Sequence, residues 1–283
     1  MNKFLPYTLN VGGRLLDLSQ PQVMGILNVT PDSFYEASRQ QHEEAIERRV
    51  RQIYEEGGDM IDIGAYSSRP GASDVSPDEE MERLRRGLTI IRRIRPDAVI
   101  SVDTFRADVA KMCVEEFGAD IINDISGGAM DATMFDTVAR LKVPYILMHM
   151  QGTPQTMQTA PQYTDLMSEM LIYFARRIDQ LHERGVCDII VDPGFGFGKT
   201  LAHNYALMNH LDAFHTLECP LLVGISRKSM IYKLLGGTPE SALNGTTVLN
   251  TLALSQGAHI LRVHDVKECV ETVQIVKETI ANS

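Results

Sequence analysis

The stretch 188-DIIVDPGFGFGKT-200 decides how the chain is read. A short apolar run ends on Asp192 and Pro193, and three glycines then alternate with two phenylalanines before Lys199 and Thr200. It looks like a strand feeding a phosphate-cradling loop, which would make the chain an NTPase. That loop needs G-x-x-x-x-G-K-[ST]. Counting back from Gly198 lands on Pro193, so the spacing fails. The dinucleotide pattern G-x-G-x-x-G fails too, because Gly194 and Gly196 are followed by Gly198 and then Lys199. What remains is a strand, an acid at its end, and a glycine-rich turn of another kind.

Similar short apolar runs recur along the chain. They are 22-QVMGILNV-29, 60-MIDIG-64, 99-VISVDT-104, 120-DIINDI-125, 145-YILMHM-150, 221-LLVGIS-226 and 260-ILRVHD-265, with 188-DIIVDP-193 the sixth of eight in order. Their Ile, Val and Leu content suits parallel strands covered on both faces. Helical patterns separate them at 42–56, 77–95, 106–117, 132–141, 165–184, 200–214, 228–257 (two pieces) and 266–281. Strand-then-helix alternation repeated eight times predicts an α/β fold, a closed (β/α)8 TIM barrel. A doubly wound open sheet also alternates, but it usually has fewer strands and a glycine fingerprint after the first, which is absent here. Residues 1–20, with Gly12-Gly13 between short alternating runs, predict an N-terminal β-hairpin covering the barrel's N-terminal end. No linker or composition break divides 1–283, which reads as one domain.

The formal net charge of −10 argues against nucleic acid or an anionic membrane as partner. Cys113, Cys187, Cys219 and Cys269 are far apart and without C-x-x-C, so they read as reduced thiols of a cytoplasmic protein. The N-terminus has no apolar run of signal-peptide length, and no segment is apolar enough to span a membrane.

In such a barrel the chemistry sits at the C-terminal strand ends. Here those ends carry Asn28, Asp62, Asp103, Asn123, His149, Asp192, Ser226, Arg262 and His264. Side chains alternate along a strand, so Arg262 and His264 share a face with Ile260, Asp103 with Ser101, and Asp192 with Ile190. A lone strand-end Asp often caps the next helix. Thr104 is the better cap after Asp103, and no helix follows Asp192 closely enough to be capped by it. Asp62 is the weakest member of the set, a candidate loop support. His149, between Met148 and Met150, reads equally as a core histidine or a site residue. His42, His182, His203, His210, His215 and His259 read as surface residues. Three long loops follow strands, at 30–41, 65–76 and 151–162, and loops of that length are usually functional. The pattern suggests a deep half with Asp103, Asn123 and Asp192, suited to a flat heterocycle with N–H donors. A cationic half, with Arg69, Arg262, His264 and nearby Lys228, suits an anion.

The motifs 24-MGILNVTPDSF-34, 62-DIGAYSSRPGA-72, 101-SVDT-104, 123-ND-124, 148-MHMQG-152, 192-DPGFGFGK-199, 226-SRKS-229 and 262-RVHDV-266 occur in the order seen in dihydropteroate synthases, and the chain resembles that family over essentially its whole length. The resemblance implies a transferase of folate biosynthesis. Such enzymes are TIM barrels, usually homodimers, and sulfonamide targets. They join p-aminobenzoate to 6-hydroxymethyl-7,8-dihydropterin diphosphate, releasing pyrophosphate. By the same resemblance Asp103, Asn123 and Asp192 hold the pterin, and Met148 packs on its ring. Lys228 contacts both substrates. Asn28 binds the Mg²⁺ that accompanies the diphosphate, and Arg69, Arg262 and His264 grip the diphosphate. Ser68, Pro70 and Phe197 shape the p-aminobenzoate pocket, while Lys199 and Thr200 begin the next helix.

The chemistry expected is an SN1-like displacement. Neutralised diphosphate leaves, the cation spreads into the pterin near Asp103 and Asp192, and the arylamine attacks without a covalent enzyme intermediate. Asp103, Asp192, Lys228, Arg262 and His264 are the catalytic candidates. The chain departs from the family where Tyr66 stands for a common Glu, Ser68 for Thr, and Tyr35-Glu36-Ala37 for Ser-Asp-Gly. A methyltransferase using methyl-tetrahydrofolate shares the barrel and the pterin acids, but has no use for Arg69 or the Arg262-x-His264 pair. A non-catalytic pterin-binding paralogue would have lost loop residues that are mostly present here.

Overall fold

The computed structural model describes residues 4–30, 36–66, 75–157 and 159–282. It begins with an antiparallel hairpin of β1 (Thr8–Val11) and β2 (Arg14–Asp17), in which Val11 faces Arg14. The turn residues Gly12 and Gly13 have φ of 58° and 83°, the left-handed pair a two-residue hairpin turn requires.

Eight parallel strands follow: β3 (Gln22–Asn28), β4 (Met60–Gly64), β5 (Val99–Asp103), β6 (Ile121–Asp124), β7 (Tyr145–Met148), β8 (Ile189–Asp192), β9 (Leu222–Val223) and β10 (Ile260–Val263). Their order is β8-β7-β6-β5-β4-β3-β10-β9. The two edges meet through a parallel bridge between Val191 and Leu221, so the sheet is a nearly closed barrel. All eight expected strands are present. The seventh is shorter than the sequence suggested, because pairing ends before Gly224.

The helices are α1 (Glu36–Glu55), α2 (Pro77–Ile94), α3 (Ala107–Phe117), α4 (Met134–Leu141), α5 (Leu166–His182), α6 (Leu201–Asn209), α7 (Ser229–Leu235), α8 (Leu243–Ser255) and α9 (Val266–Ala281). The 228–257 pattern is indeed two pieces, parted by Gly236 with φ of 70°. Helix α2 shows how local sequence sets a boundary. Ser76 accepts from Glu79 N, Pro77 opens the helix, and Asp78, Glu79 and Glu80 meet its positive end. Among the described residues no helix is long and apolar enough to cross a membrane.

Strand parity builds the barrel interior in layers. The bottom layer is Met24, Met60, Ile121, Ile146, Ile190, Leu222 and Ile260. Leu9, Val11 and Leu18 of the N-terminal segment are buried against it, so the hairpin plugs the N-terminal end as expected. Burial of side chains this size stabilises by ~1.5–3 kcal/mol each. The plug also corrects one expectation. His259 is fully buried, not a surface residue. Its Nδ1 accepts from Leu221 N at 3.1 Å, its Nε2 meets Leu5 O at 3.2 Å, and Tyr7 packs edge-on at 5.1 Å. Burial, then His215 nearby, lower its pKa to about 4.

Candidate active site

One layer above the apolar floor, the same parity turns Asp62, Ser101, Asn123, Met148, Asp192 and Arg262 into the barrel mouth. Asp62 is fully buried and forms the hub. It accepts from Ser101 Oγ at 2.6 Å, from Arg262 Nε at 2.6 Å, and from Asn123 Nδ2 at 3.2 and 3.3 Å. Arg262 Nη2 donates to Asp103 Oδ2 at 2.9 Å. The expected division into an acidic half and a cationic half is therefore not how Arg262 lies. It stands among the acids, because two buried carboxylates need a counter-charge. Asp62, the weakest candidate on sequence, holds this arrangement together. Burial would lower the Arg262 pKa, but Asp62 and Asp103 outweigh it and raise it. Burial lifts Asp103 to about 7, against the pull of Arg262 and with Asp62 adding to the rise.

Two acceptors on this floor are left over. Asn123 Oδ1 is buried and without a partner among the described residues. Asp192 is buried, and its Oδ1 accepts from Gly194 N at 2.8 Å. Arg262 Nη1 is used by neither carboxylate, and among the described residues it is left as a donor. Burial raises the Asp192 pKa, with Lys228, Arg262 and Lys199 opposing.

The glycine turn after β8 wraps this floor. Gly194, Gly196 and Gly198 have φ of 69°, 82° and 60°. A Cβ on Gly194 would stand 2.1 Å from His149 O, and one on Gly198 would stand 2.5 Å from Gln151 O, so the turn lies directly against the β7 loop. Lys228 Nζ donates to Phe195 O and sits 4.7 Å from the centre of the Phe197 ring. Burial lowers its pKa to about 8, with Asp192 resisting and Arg262 adding to the fall. Thr200 caps α6 by accepting from His203 N, as the sequence suggested. Lys199 does not simply begin that helix. It is buried behind the turn, with His149 Nδ1 3.1 Å from its Nζ. His149 is thus a satisfied interior histidine, its pKa lowered to about 3 by burial and then by Lys199.

Beside the floor lies an apolar shelf of Phe105, Ile125 and Met148, with Tyr66, Met150 and Phe197 packed on it. Tyr66, the departure from the family, meets Phe105 edge-on at 5.0 Å and accepts from Gln155 at 3.1 Å. Arg106 lies 4.8 Å over Phe105 and 5.5 Å over Tyr66, donates to Val75 O at 2.8 Å, and pairs with the buried Glu80. It therefore anchors Tyr66 and Val75, the residues flanking the 67–74 stretch. Thr104 does not cap α3 through the helix's own cap position. Its Oγ1 accepts from Arg106 N and donates to Glu80. Ser68, Arg69 and Pro70 lie outside the described residues.

His264 stands across the mouth. Its backbone N donates to Ser226 Oγ at 3.1 Å, and its Nδ1 lies 3.1 Å from the same oxygen. The Ser226 hydroxyl thereby fixes the orientation of the His264 ring. Burial, then Arg262, lower its pKa to about 4. His264 is hence neutral at pH 7, not the cation expected. With Asn28, Thr30, His42, Arg49 and other residues it lines a cavity of about 460 Å³. Arg49 was missed on sequence. It donates to Ile26 O at 3.2 Å and to His264 O at 2.5 Å, so it ties β3 to the end of β10. Its place mid-helix gave no signal, since only the barrel's closure brings those carbonyls to it.

A barrel whose mouth gathers buried acids, an orphaned amide oxygen and two cations defines a heterocycle-binding enzyme, and the comparisons agree. The pterin binding enzyme family matches residues 24–264, and the chain belongs to it. Within that family it is a transferase of the dihydropteroate synthase kind, by its similarity to proteins of that name. The chain is 44% identical to the dihydropteroate synthase of Escherichia coli (strain K12) over 277 residues, 95% of each chain. Among solved structures it resembles a Yersinia pestis dihydropteroate synthase with a sulfonamide drug (TM-score 0.90, 42% identity, 98% of this chain and 100% of that one). It also resembles a Xanthomonas albilineans dihydropteroate synthase with 4-aminobenzoic acid (TM-score 0.89, 37% identity, 98% and 99%).

Proposed function

We propose that the chain condenses 6-hydroxymethyl-7,8-dihydropterin diphosphate with p-aminobenzoate, giving 7,8-dihydropteroate and pyrophosphate. The observation carrying this reading is the pair of acceptors on the floor, the orphaned Asn123 Oδ1 and the Asp192 carboxylate. An aminopyrimidine edge with several N–H groups supplies the donors they lack. Met148 and the shelf around it give the ring an apolar face. Arg262 Nη1 would donate on the side where the diphosphate would lie, and His264 would too in its Nε2–H tautomer. The carboxylates of Asp103 and Asp192, in their ionised form, favour the cation that forms as the C–O bond breaks and its electron pair leaves with pyrophosphate. The arylamine lone pair then closes the C–N bond and an amine proton is lost. Lys228 and Phe197 flank the position from which p-aminobenzoate would approach, and sulfonamides would compete there. A methyl transfer would make no use of the donors facing the cavity.

Mg²⁺ fits this site only together with the substrate. Among the described residues no cluster of three His, Cys, Asp or Glu side chains could hold a metal. Asn28 is exposed on the cavity wall, and Arg49 lines the same cavity. One amide oxygen plus substrate phosphates is a usual Mg²⁺ environment. Bound there, the ion would neutralise the leaving diphosphate.

The same reading makes the chain a single-domain cytoplasmic homodimer. An apolar stripe supports a second copy as its partner. Leu234 and Leu235 of α7, Val248 and Leu252 of α8, and Ile275 of α9 are exposed on consecutive, touching helices. Incubating the protein with both substrates and Mg²⁺ tests the reaction. Pyrophosphate and dihydropteroate should appear in equal amounts, and their absence would overturn the assignment.

A further inference from the structure

Lys199 is 3% exposed, an unusual state for a lysine. Its Nζ lies 3.0 Å from Gly194 O, 3.0 Å from Phe197 O, 3.3 Å from His149 O and 3.1 Å from His149 Nδ1. Three N–H donors thus serve four acceptors. Among the described residues it makes no ion pair within 4.0 Å. Asn204 finishes the turn by accepting from Gly196 N at 2.7 Å and donating to Lys199 O at 3.3 Å. Tyr163 donates to Gly198 O at 2.7 Å. The turn therefore has a lysine on each side. Lys228 holds the Phe195 carbonyl from the front, and Lys199 holds the Gly194 and Phe197 carbonyls from behind. Asp192 is tied to the same turn by the Gly194 N–H.

Resting on the pterin reading above, we infer that Lys199 is a positioning residue for the heterocycle seat: its ammonium fixes the turn against the β7 loop and places a positive charge on the same Gly194 whose N–H holds Asp192. The turn needs such a clamp because Gly194 packs directly on the His149 carbonyl. Lys199 bonds the carbonyl oxygens on both sides of that close approach. A neutral side chain could fill the space but would leave those oxygens unpaired in a water-excluding site. The charge argument follows from the neighbours. The groups facing Lys199 are Asp192, Lys228 and His149, and the groups facing Asp192 are Lys228, Arg262 and Lys199. Burial lowers the Lys199 pKa to about 7, with Asp192 resisting the fall and Lys228 adding to it. Coupling between two groups is reciprocal. Whatever Lys199 does for Asp192, Asp192 does for Lys199.

That reciprocity gives a test independent of turnover. The ¹⁵N resonance of the Lys199 amine is followed against pH in the native protein and in Asp192→Asn. The titration should move to lower pH by on the order of one unit in the variant. An unmoved titration would overturn the charge role. In parallel, Lys199→Met is assayed by calorimetry with the pterin diphosphate and by KM for p-aminobenzoate. Pterin affinity should fall on the order of tenfold or more, and the acid limit of pterin binding should move to higher pH, while KM for p-aminobenzoate changes less than about twofold. Equal losses for both ligands, or unaltered pterin binding, would overturn the positioning role. If Lys199→Met fails to fold, the Asp192→Asn titration still decides. If the native protein makes no dihydropteroate, the functional reading fails, and the titration still reports on the Lys199–Asp192 pair.

Discussion

Arg262 Nε lies 2.6 Å from Asp62 Oδ2, although the two residues stand on strands separated by β3. The contact spans the barrel mouth and is almost wholly removed from water, since Asp62 is fully buried. It joins the floor of the site to Asp103, which the same guanidinium also holds. On the proposed function, binding and stability share one side chain here.

Arg262→Ala should therefore damage both. Removing one partner from a buried ion pair costs ~3–5 kcal/mol, because the abandoned charge stays buried. Chemical denaturation of the variant should show a loss of that size. Binding of the pterin diphosphate should fall more than binding of the free hydroxymethyl pterin, measured by calorimetry. Equal losses would remove Arg262 from the anion side of the site.

Asp192→Asn keeps the shape of the floor and replaces one carboxylate oxygen by an N–H₂ donor. Hydrogen bonds to charged groups contribute ~1.5–3 kcal/mol, so pterin affinity should drop roughly 10- to 100-fold. Calorimetry showing native affinity would exclude Asp192 from the seat.

Two neighbouring glycines should respond differently to alanine. At Gly194 a methyl group would meet His149 O at 2.1 Å, so the turn itself must move and substrate binding with it. At Gly196 the nearest atom is Lys228 Cδ at 3.4 Å, which leaves the backbone strain of a positive φ, ~1 kcal/mol. Gly196→Ala should retain measurable synthesis under conditions where Gly194→Ala has lost it.

His259 makes part of the stability depend on pH. Its folded pKa is lowered to about 4 by burial and then by His215, against 6.5 for the free side chain. The fold binds the neutral ring, so this contribution is complete above the free value and is lost as pH falls from about 6.5 towards 4. Asp103, raised to about 7, works in the opposite direction over the same range. A difference between two proteins isolates His259. The destabilisation caused by His259→Gln at pH 7 should shrink by ~1–2 kcal/mol at pH 5 in urea titrations. A constant difference would show that the ring titrates alike in the folded and unfolded chain.

Much of this was legible along the chain. The alternation of apolar runs and helical patterns reports burial on two faces, a local property, so all eight strands and the N-terminal hairpin could be placed. Parity within each strand sent Asp103, Asp192 and Arg262 to the interior. Cross-strand partners were not legible. Asp62 looked like loop support because nothing near it in sequence shows that Ser101, Asn123 and Arg262 converge on its carboxylate. His259 looked exposed, and Lys199 looked like a helix start, for the same reason. Each is covered by segments far away in sequence, the N-terminal plug in one case and the β7 loop in the other.

The sequence by itself determined the barrel, the end at which its polar residues gather, and the family to which its motifs belong. These depend on periodicity and on short runs of residues that need no knowledge of their neighbours in space. Only the tertiary structure decided the charge state and partner of each group. His264 is neutral, Arg262 stands between acids, and Lys199 is sealed behind a turn. Desolvation and Coulomb energy depend on three-dimensional distance, and that distance is set by closure of the sheet.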